Sequence, residues 1–365
     1  MACFLIGSAE LKKIIQQVEP MLKGGIESTP RILFEIDEKV HISATNGDGF
    51  VKIAFDCNIS SKGTFVVPGA LFAGIIKQSS NGDIEVKKGD TENFIYITSG
   101  NVKYQIATLD VRKEIFEAPM FEESKFFTID AQDLKGAISS VLCCIDTAKQ
   151  HLNCVMIHTD EKQAGKLFVV STDGMRLGIA ERSAKYDSNV PNLMVPRKSA
   201  DYILTMIGDM SGELNIAYNS NMIQISTGSI TYTAKLLDTS FPKYQSVIPV
   251  ANDKILEAKV ADLKDVIKRI SVAAEITFRI KMSISANEIS ISCEDNGNNA
   301  TGKVEATYSD TASIEIVCNF RLLAEILEKI SSSVVRFQIM DANTPILIRS
   351  VDDDTVKYVF MPFVS

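Results

Sequence analysis

Ala9-Glu10-Leu11-Lys12 returns, lightly altered, as Gln132-Asp133-Leu134-Lys135 and as Ala261-Asp262-Leu263-Lys264. The three leucines stand 123 and 129 residues apart. The first and last tetrads open stretches of helical period: Leu11, Ile14, Ile15 and Val18 share one face, as do Leu263, Val266, Ile267 and Ile270. Self-similarity at a fixed step marks a tandem array of one folding unit. Three further landmarks keep the same order. Tight-turn pairs occur at Asn46-Gly47, Asp173-Gly174 and Asn296-Gly297, types that tolerate positive φ. A strand runs into a second helix at Val66-Val67-Pro68, Met194-Val195-Pro196 and Val317-Cys318-Asn319. Proline suits a helix start because its φ is preset and it has no amide hydrogen to leave unpaired. A closing strand carries Val102-Lys103-Tyr104, Ile230-Thr231-Tyr232 and Val356-Lys357-Tyr358.

Each copy therefore reads helix, strands, helix, strands, with β-rich runs such as Arg31–Ile36, Val51–Phe55 and Phe94–Thr98 bounded by Gly, Asn and Asp. The expected fold class is α+β, three tandem domains of two helices packed on antiparallel sheet. The expected boundaries are 1–122, 123–250 and 251–365.

Composition narrows the function. Of 365 residues, 45% are hydrophobic and 23% charged, an ordinary globular balance. No apolar run reaches the roughly 18 residues of a membrane span, and the short apolar stretch after Met1 lacks the basic lead of a signal peptide. A soluble, cytoplasmic chain is expected. The seven cysteines are odd in number and show no CxxC spacing, so neither a disulfide framework nor a zinc site is expected. They read instead as small buried hydrophobes.

The net charge of −8 argues against coating nucleic acid by bulk attraction. Basic residues nevertheless recur on helices of all three copies. Lys12 and Lys13 oppose the apolar face of the first helix, and Lys264, Lys268 and Arg269 that of the third copy. Lys135 and Arg197-Lys198 mark the middle copy, with Lys77, Arg321 and Lys329 on second helices or their flanks. A charged helix face is commonly just a solvated one; the recurrence favours a phosphate-facing surface. Twelve helices from two chains, packed about 9 Å apart, would close a circle about 34 Å across. Removing one helix width of about 10 Å leaves a hole of about 24 Å, slightly wider than a DNA duplex.

The chain resembles the bacterial DNA polymerase III beta sliding clamps over its whole length. The resemblance rests on Ser171-Thr172-Asp173-Gly174-Met175-Arg176-Leu177, Val195-Pro196-Arg197-Lys198, Phe241-Pro242-Lys243-Tyr244 with Val247-Ile248-Pro249, and Tyr358-Val359-Phe360-Met361-Pro362. It implies a head-to-tail homodimer around duplex DNA, read without regard to sequence and loaded by an ATP-driven clamp loader. It also implies an apolar pocket between the second and third domains, where the polymerase III catalytic subunit and other replication and repair proteins dock by short motifs. Carried across residue by residue, that pocket comprises Leu152, Thr172, Gly174, Met175, Arg176, Leu177, Pro242, Ser246, Val247, Val359, Met361, Pro362 and Phe363. The DNA-facing set is Lys12, Lys77, Lys135, Arg197, Lys198, Lys264 and Lys268, to which the resemblance adds Lys23 and His151. The ring-closing set is Tyr104 and Ile106 against Val272, Ala273, Ile276 and Phe278. Met175 stands where histidine is usual, Ser246 where arginine is frequent, Cys154 where glycine follows Leu-Asn, and the end is Phe363-Val364-Ser365. The rim is thus less polar and less basic than is usual, which implies a shifted peptide preference.

Catalysis finds little support. Gly47-Asp48-Gly49 lacks the later glycine of a dinucleotide loop, and no Walker sequence or nucleophile elbow occurs. His41, His151 and His158 are the only histidines; the residues between the last two read as turn and strand, not one helix face. Asp352-Asp353-Asp354 reads as a solvated hairpin turn. Neither a metal nor a cofactor is expected. Two rival readings remain: a ring-shaped peptide scaffold that does not encircle DNA, and a hydrolase using Asp173 with His151 or His158.

Overall fold

The computed structural model describes residues 3–23, 30–89, 93–118, 124–273 and 277–363. Among these residues are six α-helices: α1 (Ser8–Val18), α2 (Gly69–Gln78), α3 (Ala131–Val141), α4 (Arg197–Ile207), α5 (Val260–Ile270) and α6 (Phe320–Leu327). They fall two to each repeat. In α1 the buried line is Ser8, Leu11, Ile15 and Val18; in α5 it is Val260, Leu263, Ile267 and Ile270. Ile14 and Val266 sit at the edge of each stripe and are only half covered. The strand-to-helix landmark takes two chemical forms. Pro68 is the residue just before α2, with φ −61° and ψ 113°. Asn319 instead caps α6, its side-chain oxygen accepting from the amides of Arg321 and Leu322 at 3.0 and 3.4 Å.

The turns repeat in atomic detail. Thr45 Oγ1 accepts from Gly47 N and donates to Gly49 O, while Asn46 Oδ1 accepts from Gly49 N. Thr172 Oγ1 does the same with Gly174 N and Arg176 O, and Asp173 Oδ1 accepts from Arg176 N. Gly47 and Gly174 both take φ 91°. A side chain there would be strained, since L residues avoid this region. In the third turn both Asn296 (φ 50°) and Gly297 (φ 81°) are left-handed, as the Asn-Gly pair permits.

The chain forms two compact units. One comprises Met1–Gln132, Lys185–Asp187 and Lys198–Leu236; the other comprises Asp133–Ala184, Ser188–Arg197 and Leu237–Ser365. The first holds a five-stranded and a nine-stranded sheet. The nine-stranded sheet runs across two repeats, because strand Gly49–Phe55 of the first pairs with the closing strand Ile230–Lys235 of the second, Val51 opposite Tyr232. The other unit holds a twelve-stranded sheet. In it strand Arg176–Ser183 of the second repeat pairs with the closing strand Val356–Phe360 of the third, Gly178 opposite Tyr358. Backbone ladders thus join successive repeats, so compactness does not follow the repeat borders.

Candidate functional site

In the twelve-stranded unit, Leu177 lies opposite Val359 in the ladder joining two repeats. Alternation sends Leu177 and Ile179 to one face of the sheet. There they join Met156, Phe168, Val170 and Val359 in a small apolar cluster, covered by Tyr244 and flanked by Phe241 and Ile248. Tyr244, 6% exposed, fastens this covering segment to the sheet. His158 Nδ1 lies 3.0 Å from the Thr159 carbonyl oxygen, which can only accept, so Nδ1 carries the proton. Nε2 is then the acceptor for the Tyr244 hydroxyl at 2.9 Å. The imidazole stacks on Phe168, and burial lowers its pKa below the ordinary 6.5. His158 is a strut rather than a base or a ligand, and its role was missed in the sequence; the signal was a histidine within the apolar strand Cys154–Thr159.

The remaining pocket candidates fall into three groups. Leu152, Thr172, Leu177, Val359 and Pro362 are buried. Met175 (37% exposed) and Val247 (48%) present apolar side chains to solvent beside exposed Gly174, Pro242 and Ser246. Met361 and Phe363 are half-buried. The Met361 amide donates to the Met175 carbonyl at 2.9 Å and the Phe363 amide to Val317 at 2.8 Å, which seats the C-terminal segment beside Met175. Val364 and Ser365 lie outside the described residues.

Arg176 is tied down by its guanidinium. Next to Leu177 in an extended strand, it points to the opposite face. Its guanidinium meets Asp173 at 3.0 Å, the Leu322 carbonyl at 3.0 Å and Glu325 at 2.6 Å, and only 5% of it is exposed. It braces the turn against α6.

The basic residues differ in what they have free. Lys12 donates to the Ser79 carbonyl at 2.8 Å, Lys77 pairs with Glu19 at 2.6 Å, and Lys264 pairs with Glu328 at 2.6 Å. Lys135 and Arg197 are half-buried. Lys23, His151, Lys198 and Lys268 are exposed.

Among the described ring-closing candidates Ile106 is the most covered. It is 3% exposed, packed inward on the face it shares with Val102 and Tyr104. Along that face cover is lost: Tyr104 is half-buried and Val102 44% exposed. Strand Val102–Ala107 pairs on one side only, with Phe94–Ser99. Strand Asn298–Tyr308 pairs fully with Glu288–Asp295, yet meets Lys254–Lys259 only at Ala306–Tyr308. Both strands therefore present open backbone edges among the described residues, as do other terminal strands such as Asn58–Ser61. Val272 is 74% exposed and Ala273 half-buried. Phe278, with φ 53°, lies under the Arg321 guanidinium at 3.6 Å. Ile276 lies outside the described residues.

No group of three or more His, Cys, Asp or Glu side chains is placed to hold a metal among the described residues. His151 sits on an exposed turn and His158 in a buried strand, so they share no helix face. Asp353 accepts from the Thr355 amide and hydroxyl, and Asp354 pairs with Arg349, in the turn before the last strand. No helix is long and apolar enough to cross a membrane among the described residues.

Residues 128–243 match the DNA polymerase III beta subunit central domain, and residues 245–364 match its C-terminal domain. The beta sliding clamp of Pseudomonas aeruginosa is 27% identical over 308 residues, 82% of each chain. That of Haemophilus influenzae is 23% identical across 98% of this chain and 99% of its own. A crystal structure of the sliding clamp (DNA polymerase III subunit beta) from Bartonella birtlesii bound to griselimycin superposes with a TM-score of 0.91 at 25% identity, covering all of both chains. The chain belongs to the DNA polymerase III beta subunit family, and its function is that of a DNA sliding clamp.

Proposed function

We propose that two copies close head to tail around duplex DNA as a non-catalytic processivity factor, each chain contributing three clamp domains, 1–122, 123–250 and 251–365. The observation that carries this reading is the register shared by the two repeat joints. In each, the tyrosine of a closing strand stands opposite the residue four positions beyond the turn glycine: Tyr232 opposite Val51, after Gly47, and Tyr358 opposite Gly178, after Gly174. The same rule applied to the third turn, at Gly297, selects Thr301, which lies on an open edge. Its counterpart is Tyr104 on the edge strand Val102–Ala107, supplied by a second copy. Tyr232 and Tyr358 are 2% and 0% exposed, while Tyr104 is only half covered, as expected of a joint awaiting its partner. Counting from the helix-opening leucines places Val272 and Ala273 where Cys143 and Cys144 back the second joint.

DNA would be held by linkage more than by contact, which suits an acidic chain; modest cations steer the duplex without slowing sliding. Met175 and Val247, exposed apolar side chains on the turn and the covering segment that border the Leu177–Val359 cluster, would take the apolar anchors of short motifs from the polymerase III catalytic subunit, the clamp loader and repair proteins. With Met175 and Ser246 on the rim, the preferred motif is more apolar than the family's usual one.

The test is retention of labelled protein on nicked circular DNA after loading, before and after the circle is cut. Release on cutting is the expected result. Equal retention on both forms would mean ordinary binding, and none on either would favour a peptide scaffold.

A further inference from the structure

Adjacent Cys143 and Cys144 lie on the tight turn Leu142–Cys144 that follows α3, with their sulfurs 3.7 Å apart. They differ sharply in surroundings. Cys144 is fully buried and belongs to the core of the third repeat. Cys143 is half-buried and opens onto a cavity of about 580 Å3, lined among others by Leu142, Arg176, Arg197, Glu325 and Lys329. We propose that Cys143 is a peroxide-reactive thiol, with Cys144 the thiol that resolves it into a reversible disulfide.

A thiol reacts as its thiolate, so access and nearby cations decide which cysteine is attacked. The Cys144 thiol beside it, then the charges of Arg176 and Lys329, hold the Cys143 thiol below its ordinary range, whereas burial pushes Cys144 well above it. The attacking and resolving roles are thereby divided. The Cys143 thiolate attacks one oxygen of hydrogen peroxide, the O–O bond breaks, and hydroxide leaves to take up the proton that Cys143 released. The product is a sulfenic acid and water. Cys144 sulfur then displaces the sulfenic hydroxyl, which departs with the Cys144 proton as a second water. Two thiols and one peroxide become a disulfide and two waters.

Neighbouring α-carbons are about 3.8 Å apart, below the roughly 4.4 Å lower limit of ordinary disulfides. The bond is therefore strained and easily reduced, the property of a regulatory disulfide rather than a structural one. Its closure must reshape the turn that rests on Gly178, where two repeats are joined; Cys144 Sγ lies 3.2 Å from the position of a Gly178 Cβ.

The test exposes the full chain to about one equivalent of hydrogen peroxide, alkylates it, and follows the tryptic peptide spanning residues 136–149. The expected product lacks two hydrogens, escapes alkylation and returns on adding dithiothreitol, while the other five cysteines stay alkylated. In Cys144→Ser, dimedone should label Cys143. In Lys329→Gln that labelling, read in the Cys144→Ser background with an unchanged melting curve, should slow severalfold. Oxidation of Cys57 before Cys143, an alkylated peptide 136–149, or a rate indifferent to Lys329 would overturn the proposal.

Discussion

The Tyr244 hydroxyl donates to His158 Nε2 at 2.9 Å, pinning a segment 86 residues away in sequence onto the sheet. Because burial lowers the His158 pKa, the folded state takes up its proton less readily than the unfolded chain, whose value is about 6.5. The stability from neutral His158 is complete above that value and declines as pH falls below it toward the folded pKa. Thermal melts between about pH 5 and pH 8 should show this acid loss. His158→Gln should cost about 1 kcal/mol near neutrality and flatten the acid limb; an unchanged pH slope in the variant would show that other groups set it.

The register proposed for the third joint is testable to a single residue. With cysteines at Tyr104 and Thr301, oxidation should link two chains, because directly opposed Cβ atoms lie about 4.5–5.5 Å apart. A Tyr104→Cys, Lys303→Cys pair, two residues out of register, should link far less. Equal linking on a non-reducing gel would reject the register.

A side chain at Gly178 would crowd its neighbours. A Cβ there would stand 3.2 Å from Cys144 Sγ and from the Val141 α- and β-carbons. Gly178→Ala should lower urea stability by about 1–3 kcal/mol. Gly228, where a Cβ meets nothing within 4 Å, provides the neutral control.

Exposed cations should matter more to DNA than committed ones. Lys198→Glu with Lys268→Glu should weaken association and flatten its salt dependence by about one unit of slope per lost contact. Lys77→Gln and Lys264→Gln, whose ammonium groups already face Glu19 and Glu328, should do less. Fluorescence anisotropy across a salt series distinguishes the two pairs.

Met175→Glu and Val247→Glu should each weaken a fluorescent polymerase-derived peptide by more than about tenfold, since both place charge where an apolar anchor desolvates. Arg176→Lys should act differently, through loss of stability, because its fork serves Asp173, Leu322 and Glu325. Parallel binding and melting curves separate the two effects.

The repeat was legible because its landmarks are local chemistry. Turn glycines, helix-opening leucines and closing tyrosines each answer to their own backbone. The direction of Arg176 follows from strand alternation once Leu177 is known to belong to the apolar cluster, but which face carries that cluster depends on Tyr244 and Phe241, remote in sequence. The burial of Ile106 was hidden for a related reason: a β-branched residue on an edge strand reads the same whether a partner or its own sheet covers it. The bond from Tyr244 to His158 was invisible for want of any local pattern. The charged helix faces disclosed their cations but not Glu19 or Glu328, which neutralise two of them across helices.

The shared joint design has a kinetic consequence. Within one chain the two complementary strands are tethered, so each finds the other at roughly millimolar effective concentration whatever the amount of protein. Between chains the proposed joint would instead depend on the concentration of free protomers. One architecture would thus give two permanent welds and, between subunits, a latch that opens first on dilution.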